Sequence, residues 1–148
     1  MIRTAASTLL AIDTSTRSVG LALYNGVQIL NETMWISQDY HTVELAPAIV
    51  DALQKNGLEA RDLCAVAVAT GPGSFTGLRI GLALAKGLAI VRHIPLIGIP
   101  TLDSLAVGQP PSDLPLAAVL RAGRGRLAVG WYRCDHRSWI NLQEIDLL

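Results

Sequence analysis

The stretch Thr70–Gly81 restricts the possible folds more than any other part of the chain. Its sequence, TGPGSFTGLRIG, follows an alanine- and valine-rich run at Cys64–Ala69, which predicts a strand buried on both faces. Three glycine and proline residues end this strand, and Ser74 or Thr76 can cap a helix that we expect over 75–91. A strand, a tight loop and a helix in this order predict an α/β domain.

The loop of this unit shares some features with phosphate-binding loops. Gly71 and Gly73 permit tight backbone geometry, and a helix that begins near Ser74 would favour an anion at its N-terminus. The loop lacks the lysine of a P-loop, and its glycines are not spaced as in the dinucleotide-binding fingerprint. The sequence is therefore compatible with phosphate binding by Gly71, Gly73 and Ser74 but does not require it.

The N-terminal part of the chain predicts a three-stranded antiparallel meander. Leu9–Asp13 is apolar and strand-like, and alternating apolar residues begin a second strand at Val19. Asn25-Gly26 is a strong hairpin turn, after which we expect a third strand over 27–36.

Helical periodicity then replaces the strand pattern. We expect a helix over 42–56 with Gly57 as its C-cap, a strand over 95–99, a short helix from Thr101 to Ala106 capped by Thr101, and a linker over 109–115. The predicted order is β-β-β-α-β-α-β-α. We assign residues 1–110 to this first domain.

Residues 111–148 resemble the beginning of the chain. Leu10–Tyr24 and Ala118–Tyr132 match in apolar pattern, with Tyr24 aligned to Tyr132, and Trp139–Leu148 would be a third strand. We therefore predict that this segment is the first meander of a duplicated second domain.

The first turn places a carboxylate and hydroxyls together at Asp13, Thr14 and Ser15. Such groups can bind phosphate oxygens, and the aspartate can hold Mg²⁺ directly or through water. The same side chains in a hairpin turn often only bond the local backbone, so both interpretations remain open.

Small residues repeat every four positions in the second helix, at Gly77, Gly81, Ala85 and Ala89. The other side of this helix is also apolar, so both sides need to be covered. The small-residue stripe can pack inside the chain or against a second subunit, and the pattern does not decide between them.

Composition excludes several classes of function. The formal net charge is zero and the three histidines are scattered, with no zinc-like spacing and no nucleophile–base pair. The two cysteines are too few for a disulfide framework, which favours a reducing cytoplasm. Arg79 and Lys86 interrupt the longest apolar run, so we do not expect this run to span a membrane. A local basic cluster contains Arg121, Arg124, Arg126, Arg133 and Arg137.

Two motifs together resemble the TsaB family: LAIDTS near the start and GPGSFTGLRIG in the glycine-rich loop. The resemblance covers roughly residues 8–108. It implies an actin-like ATPase (ribonuclease H-like) fold in two duplicated domains. It also implies a cytoplasmic, non-catalytic subunit of the machinery that makes threonylcarbamoyladenosine on tRNA.

The resemblance further implies partners: a TsaD-type transferase, a TsaE-type ATPase and a second copy of the chain, with tRNA reached only through the complex. The two helices over 42–56 and 75–91 resemble the family's interface elements. We therefore expect an interface that contains the following apolar and small residues: Leu45, Ile49, Leu53, Gly77, Gly81, Ala85 and Ala89. A cofactor is not required, although ATP or ADP with Mg²⁺ could bind at a complex interface.

The chain departs from the family where the second domain begins. Family members usually have Asp-Ala-Arg followed by Gly-Glu-Val-Tyr, whereas this chain has Arg121-Ala-Gly123 and then Gly125–Ala128. An independent ATPase or small-molecule kinase is the alternative function, but it would need a carboxylate where Arg121 lies. A glycoprotease-like peptidase is less compatible, because no nucleophile, base or metal set is evident.

Overall fold

The computed structural model describes residues 8–38, 41–123, 125–142 and 145–147. A five-stranded mixed sheet forms its larger half. The strands are β1 (Thr8–Asp13), β2 (Ser18–Tyr24), β3 (Ile29–Ile36), β4 (Leu63–Gly71) and β5 (Leu96–Pro100). Their order is β3-β2-β1-β4-β5; β1, β2 and β3 pair antiparallel, whereas β4 pairs parallel with β1 and β5.

Three α-helices follow the predicted positions. They are α1 (His41–Lys55), α2 (Phe75–Arg92) and α3 (Thr101–Val107), and a short 3-10 helix (Ala60–Asp62) precedes β4. The predicted order β-β-β-α-β-α-β-α is therefore confirmed. None of the helices in the described ranges has the length and apolarity to cross a bilayer.

The larger core lies between the five-stranded sheet and the helices α1 and α2. Alternate residues of β1 and β2 point into it, including Leu10 and Leu21, and Leu45 and Ile49 enter it from α1. Each buried aliphatic side chain of this kind contributes roughly 1.5–3 kcal/mol relative to an exposed one. This core fixes the position of the β1–β2 turn relative to α2.

A second, smaller sheet contains β6 (Leu116–Arg121), β7 (Leu127–Asp135), β8 (Ser138–Asn141) and β9 (Asp146–Leu147). The strands β6, β7 and β8 form the antiparallel meander predicted for this segment. The predicted third strand over Trp139–Leu148 is wrong in its extent, because β8 ends at Asn141 and the separate strand β9 pairs with Ala128 and Val129. Leu148 lies outside the described residues.

The predicted alignment of the two hairpins needs a correction of one residue. Asp13 pairs with Gly20 across six residues (14–19), whereas Arg121 pairs with Leu127 across five (122–126). Counting onward from these pairs makes Trp131, not Tyr132, the counterpart of Tyr24. Tyr24 and Trp131 are both 40% exposed, whereas Tyr132 is 1% exposed.

Helix α3 packs on the second sheet, although it follows the first sheet in the chain. Leu102 and Ala106 are buried against Ala118, Ala128 and Tyr132. The division between residues 1–110 and 111–148 stays a prediction, and this packing ties α3 to the segment beyond it.

The predicted cap of α3 is wrong. Pro100 occupies the N-cap position, and Thr101 is the first helical residue. The Thr101 hydroxyl is buried and has no hydrogen-bond partner among the described residues. Thr101 follows β5 without an intervening loop, so its side chain points into the interior instead of back towards the helix N-terminus.

The β7 strand is joined to α3 by a partly buried hydrogen bond. The Tyr132 hydroxyl donates to Asp103 Oδ1 at 2.7 Å. Burial, followed by this hydrogen bond and the carboxylate charge, raises the pKa of Tyr132 well above its usual range. The phenol therefore stays protonated and holds the helix on the sheet.

Candidate functional site

The β1–β2 turn is closed by its own side chains. The Ser15 N–H donates to Asp13 Oδ1 at 2.8 Å, and Thr16 Oγ1 both donates to and accepts from the Ser18 backbone at 3.0 Å. Thr14 is completely buried, and its hydroxyl has no hydrogen-bond partner among the described residues. The side chains of Asp13 and Thr16 therefore stabilise the turn through local backbone hydrogen bonds.

The β4–α2 loop lies directly on this turn. The Ser74 N–H donates to the Ser15 carbonyl at 2.6 Å, and a side chain at Gly73 would collide with that carbonyl. Ser74 Oγ in turn accepts from the Gly77 N–H at 3.2 Å, which confirms Ser74 as the N-cap of α2. Glycine at position 73 is needed because two backbones meet there.

The first turn of α2 continues the contact. A Cβ atom at Gly77 would collide with the Thr14 carbonyl, and one at Gly81 would collide with Thr14 Oγ1. The glycines therefore let α2 lie against the β1–β2 turn at backbone distance. The two motifs that characterise the sequence form one interlocked unit.

This interlocking bears on the predicted phosphate site. The structure brings together all six predicted residues: Asp13, Thr14, Ser15, Gly71, Gly73 and Ser74. The Ser74 N–H, which would face a phosphate at the helix N-terminus, is bonded to Ser15, and the Asp13 carboxylate accepts the Ser15 N–H. Phosphate binding stays a prediction, and the Ser74 N–H is already used by the bond to Ser15.

The same residues do not fit a magnesium–nucleotide complex. The end of β6 that corresponds to Asp13 carries the positively charged Arg121, where a duplicated nucleotide site would need a second carboxylate. No group of three or more His, Cys, Asp or Glu side chains within the described ranges lies close enough to hold a metal ion. We therefore derive no step through ATP or Mg²⁺.

A cleft of about 1220 Å³ separates the interlocked unit from the second sheet. Its walls come from the β1–β2 turn, the β4–α2 loop and the β6–β7 turn, with Leu147 from β9. Arg17, Arg121 and Arg126 line it, and no acidic side chain does so in the part of the chain that the structure describes. Arg124, the fourth arginine near this turn, lies outside the described residues.

The predicted interface residues are inside the chain, and this expectation is corrected. Gly77, Gly81, Ala85 and Ala89 are the buried residues of α2, and they face β1, β4 and the β1–β2 turn. Leu45, Ile49 and Leu53 of α1 are at most 5% exposed in the larger core. Small residues allow a helix to approach any neighbour closely, and here the neighbour is the chain's own sheet.

The opposite faces of α1 and α2 are exposed and largely apolar. Leu45, Ile80 and Leu84 line a groove of about 460 Å³ between the helices together with Ala46, Thr76, Arg79 and Ala83. We call a subset of the exposed apolar residues of the two helices the α1–α2 face; its members are Val43, Ala46, Val50, Ala83 and Ile90.

Comparison with known proteins assigns the chain to a family. A family model described as TsaD, tRNA N6-adenosine threonylcarbamoyltransferase, matches residues 35–140, which is more than half of the chain. The chain is 36% identical over 85% of its length to the tRNA threonylcarbamoyladenosine biosynthesis protein TsaB of Bacillus subtilis. It is 40% identical over 68% of its length to the protein of the same name from Escherichia coli. The chain belongs to the TsaB branch of this family.

Solved TsaB-like structures confirm the fold class. YeaZ from Pseudomonas aeruginosa superposes with a TM-score of 0.86 and 28% identity, over 96% of this chain and 67% of that one. The actin-like α/β fold predicted from the sequence is therefore confirmed. The chain spans 55% of the Bacillus subtilis TsaB and 43% of the Escherichia coli TsaB.

Sequence reasoning missed two features of this TsaB-type chain. It assigned the Gly77–Ala89 stripe of α2 to a possible interface, whereas the exposed apolar residues of α1 and α2 include Val50 and Ile90. It also grouped five arginines by position in the chain, whereas the structure combines Arg121 and Arg126 with the distant Arg17. The spacing of residues within one segment of the sequence could not show that the β1–β2 turn and the β6–β7 turn line the same cleft.

Proposed function

We propose that the chain is a non-catalytic interaction subunit in tRNA threonylcarbamoyladenosine biosynthesis. In this proposal it works in the cytoplasm, binds a TsaD-type transferase through the α1–α2 face and supports a TsaE-type ATPase in the same assembly. The names of its curated relatives support the pathway.

The α1–α2 face supports a role in binding. Val43 is 66% exposed, Val50 is 52% exposed and Ile90 is 70% exposed, so three large apolar side chains of two adjacent helices face solvent. Large apolar side chains that are exposed on neighbouring helices are typical of protein–protein contact sites. The groove between the helices provides a concave surface for the apolar side chains of a partner helix.

The polar motifs support a structural role. Asp13, Ser15 and Ser74 are bonded to one another or to the local backbone, so the turn that would bind a nucleotide in an ATPase holds the chain together here. This favours the interaction subunit over the independent ATPase or kinase.

Substitution of one exposed valine tests the interface. Val50→Arg places a charge within the α1–α2 face, whereas Val107→Arg places the same charge on the exposed side of α3, where Val107 is 72% exposed. We expect Val50→Arg to weaken binding of the TsaD-type partner about tenfold or more by calorimetry, because a charge would be desolvated without a partner. Val107→Arg should bind as the unchanged chain does.

Equal affinities of the two variants would contradict the proposed interface. ATP turnover by the purified chain alone, abolished by Asp13→Asn, would contradict the non-catalytic role. Turnover that requires the TsaD-type and TsaE-type partners would agree with it.

A further inference from the structure

The cleft between the two sheets brings arginines together from both hairpins. Arg17 comes from the β1–β2 turn, and Arg121 and Arg126 flank the β6–β7 turn. These turns occupy corresponding places in the two meanders and face each other across the cleft. Three guanidinium groups thus line a concave surface to which the described residues contribute no acidic side chain.

Backbone hydrogen bonds fix the main chain of the two turns that carry these arginines. The Ser37 N–H donates to the Arg17 carbonyl at 2.8 Å, and the Ala122 N–H donates to the Arg126 carbonyl at 2.9 Å. The Arg126 N–H closes the turn by donating to the Gly123 carbonyl at 3.0 Å. None of the ion pairs within the described ranges uses the side chains of these arginines. Their charge is therefore available to an anionic ligand.

An aromatic ring lies at the edge of the same cleft. Phe75 lines the cleft and is 74% exposed, an unusual position for the only phenylalanine of the chain. The Arg79 guanidinium lies 5.2 Å from the centre of its ring. A ring supported on one side and open to solvent can stack with a nucleobase.

The cleft is better suited to a strand of nucleic acid than to a free nucleotide. Its volume of about 1220 Å³ exceeds the roughly 300–1,000 Å³ of ordinary small-molecule sites. The Ser74 N–H, which would bind a terminal phosphate, is already bonded to Ser15. The three arginines of the cleft are exposed and spread over two turns, which matches phosphates spaced along a strand.

We propose that this cleft binds an unpaired segment of RNA directly, with phosphates on Arg17, Arg121 and Arg126 and a base stacked on Phe75. The proposal rests on the proposed function in one respect: tRNA would be the RNA that the assembly brings to the cleft. It differs from the expectation that tRNA is reached only through partner subunits.

Two double variants with equal loss of charge provide the test. Arg121→Ala/Arg126→Ala removes two charges from the cleft, and Arg133→Ala/Arg137→Ala removes two exposed charges elsewhere in the same sheet. Fluorescence anisotropy measures binding of an unmodified tRNA transcript and of a short single-stranded RNA at several KCl concentrations. Circular dichroism checks that both variants are folded.

We expect the cleft variant to lose about tenfold or more in RNA affinity and to reduce the salt-dependence slope by about 1.4, since each single-strand phosphate contact contributes about 0.7. The Arg133→Ala/Arg137→Ala variant should retain its affinity and slope. Phe75→Ala should weaken binding of single-stranded RNA by about tenfold without changing the slope.

Equal losses in the two double variants, or no RNA binding by the unchanged chain at low salt, would overturn the proposal. Displacement of RNA by ATP at equimolar concentration would assign the cleft to free nucleotides instead. If the cleft variant lost the TsaD-type partner but kept RNA, the arginines would belong to a protein interface. Failure of Val50→Arg to weaken partner binding would count against the proposed function alone and leave the RNA result standing.

Discussion

The two meanders of the chain have the same pairing pattern but bury their turns differently. In the first, α2 covers the β1–β2 turn, and Thr14 and Ser15 are almost completely buried. In the second, Arg121 and Arg126 beside the β6–β7 turn are exposed. The covering helix therefore decides whether polar residues of a hairpin become structural or remain available for binding.

A bulky residue on the buried side of α2 should give the largest change in the free energy of unfolding. Ala85 is fully buried and Ala83, on the same helix, is exposed. We expect Ala85→Trp to lower the free energy of unfolding by about 3 kcal/mol, because an indole would have to displace the sheet. Ala83→Trp should change it by about 0.5 kcal/mol or less. Urea denaturation of both variants measures the difference, and similar losses would mean that α2 is not anchored by this side.

Removing one hydroxyl from each meander should give a smaller difference. Tyr132→Phe leaves Asp103 without its buried donor, and we expect a loss of about 1–2 kcal/mol in the free energy of unfolding. The Tyr24 hydroxyl donates to the Gly26 carbonyl in an exposed turn, so Tyr24→Phe should cost about 0.5 kcal/mol or less. Thermal unfolding of the two variants compares them directly, and a larger loss for Tyr24→Phe would contradict the burial argument.

Because the pKa of Tyr132 is raised, the stability of the Tyr132→Phe and Tyr24→Phe variants should depend differently on pH. Below about pH 10 the phenol is protonated in both the folded and unfolded chain, so its contribution to stability is complete. Above that pH the unfolded chain releases the proton while the folded chain keeps it, and stability falls as pH rises. Urea denaturation between pH 8 and 11 should show a shallower decline for Tyr132→Phe than for Tyr24→Phe. Parallel declines would contradict the assignment.

The smallest contrast concerns the ends of β1 and β6. Asp13→Ala removes the acceptor of the Ser15 N–H, and we expect a loss of about 1 kcal/mol in the free energy of unfolding. Arg121 occupies the corresponding position without an ion pair among the described residues, so Arg121→Ala should have an effect of about 0.5 kcal/mol or less. A destabilising Arg121→Ala would indicate a structural role for this arginine.

Local patterns predicted most of the fold. A short apolar run identified β1, and alternation identified β2. Periodicity identified α1 and α2, and Ser74 was one of the two residues proposed to cap α2. These features depend on neighbours within a few positions, which the sequence displays directly.

The errors arose where distant segments decide the outcome. Thr101 had the residue type of an N-cap, but the absence of a loop after β5 made it the first helical residue. Tyr132 was aligned to Tyr24 by the apolar pattern of the two segments, but the shorter β6–β7 turn shifts the register by one residue. The stripe at Gly77–Ala89 had the spacing of an interface, and the partner proved to be the chain's own turn.

The close contact between the β1–β2 turn and α2 also determines which positions of the glycine-rich motif can be substituted. Gly73, Gly77 and Gly81 each lack the space for a single methyl group, whereas Phe75 and Arg79 between them are exposed. In a saturation mutagenesis experiment, tolerance along this motif should thus follow the geometry of one backbone lying on another. The glycines of this motif are therefore required by the close packing of the chain on itself, whether or not the loop also binds a ligand.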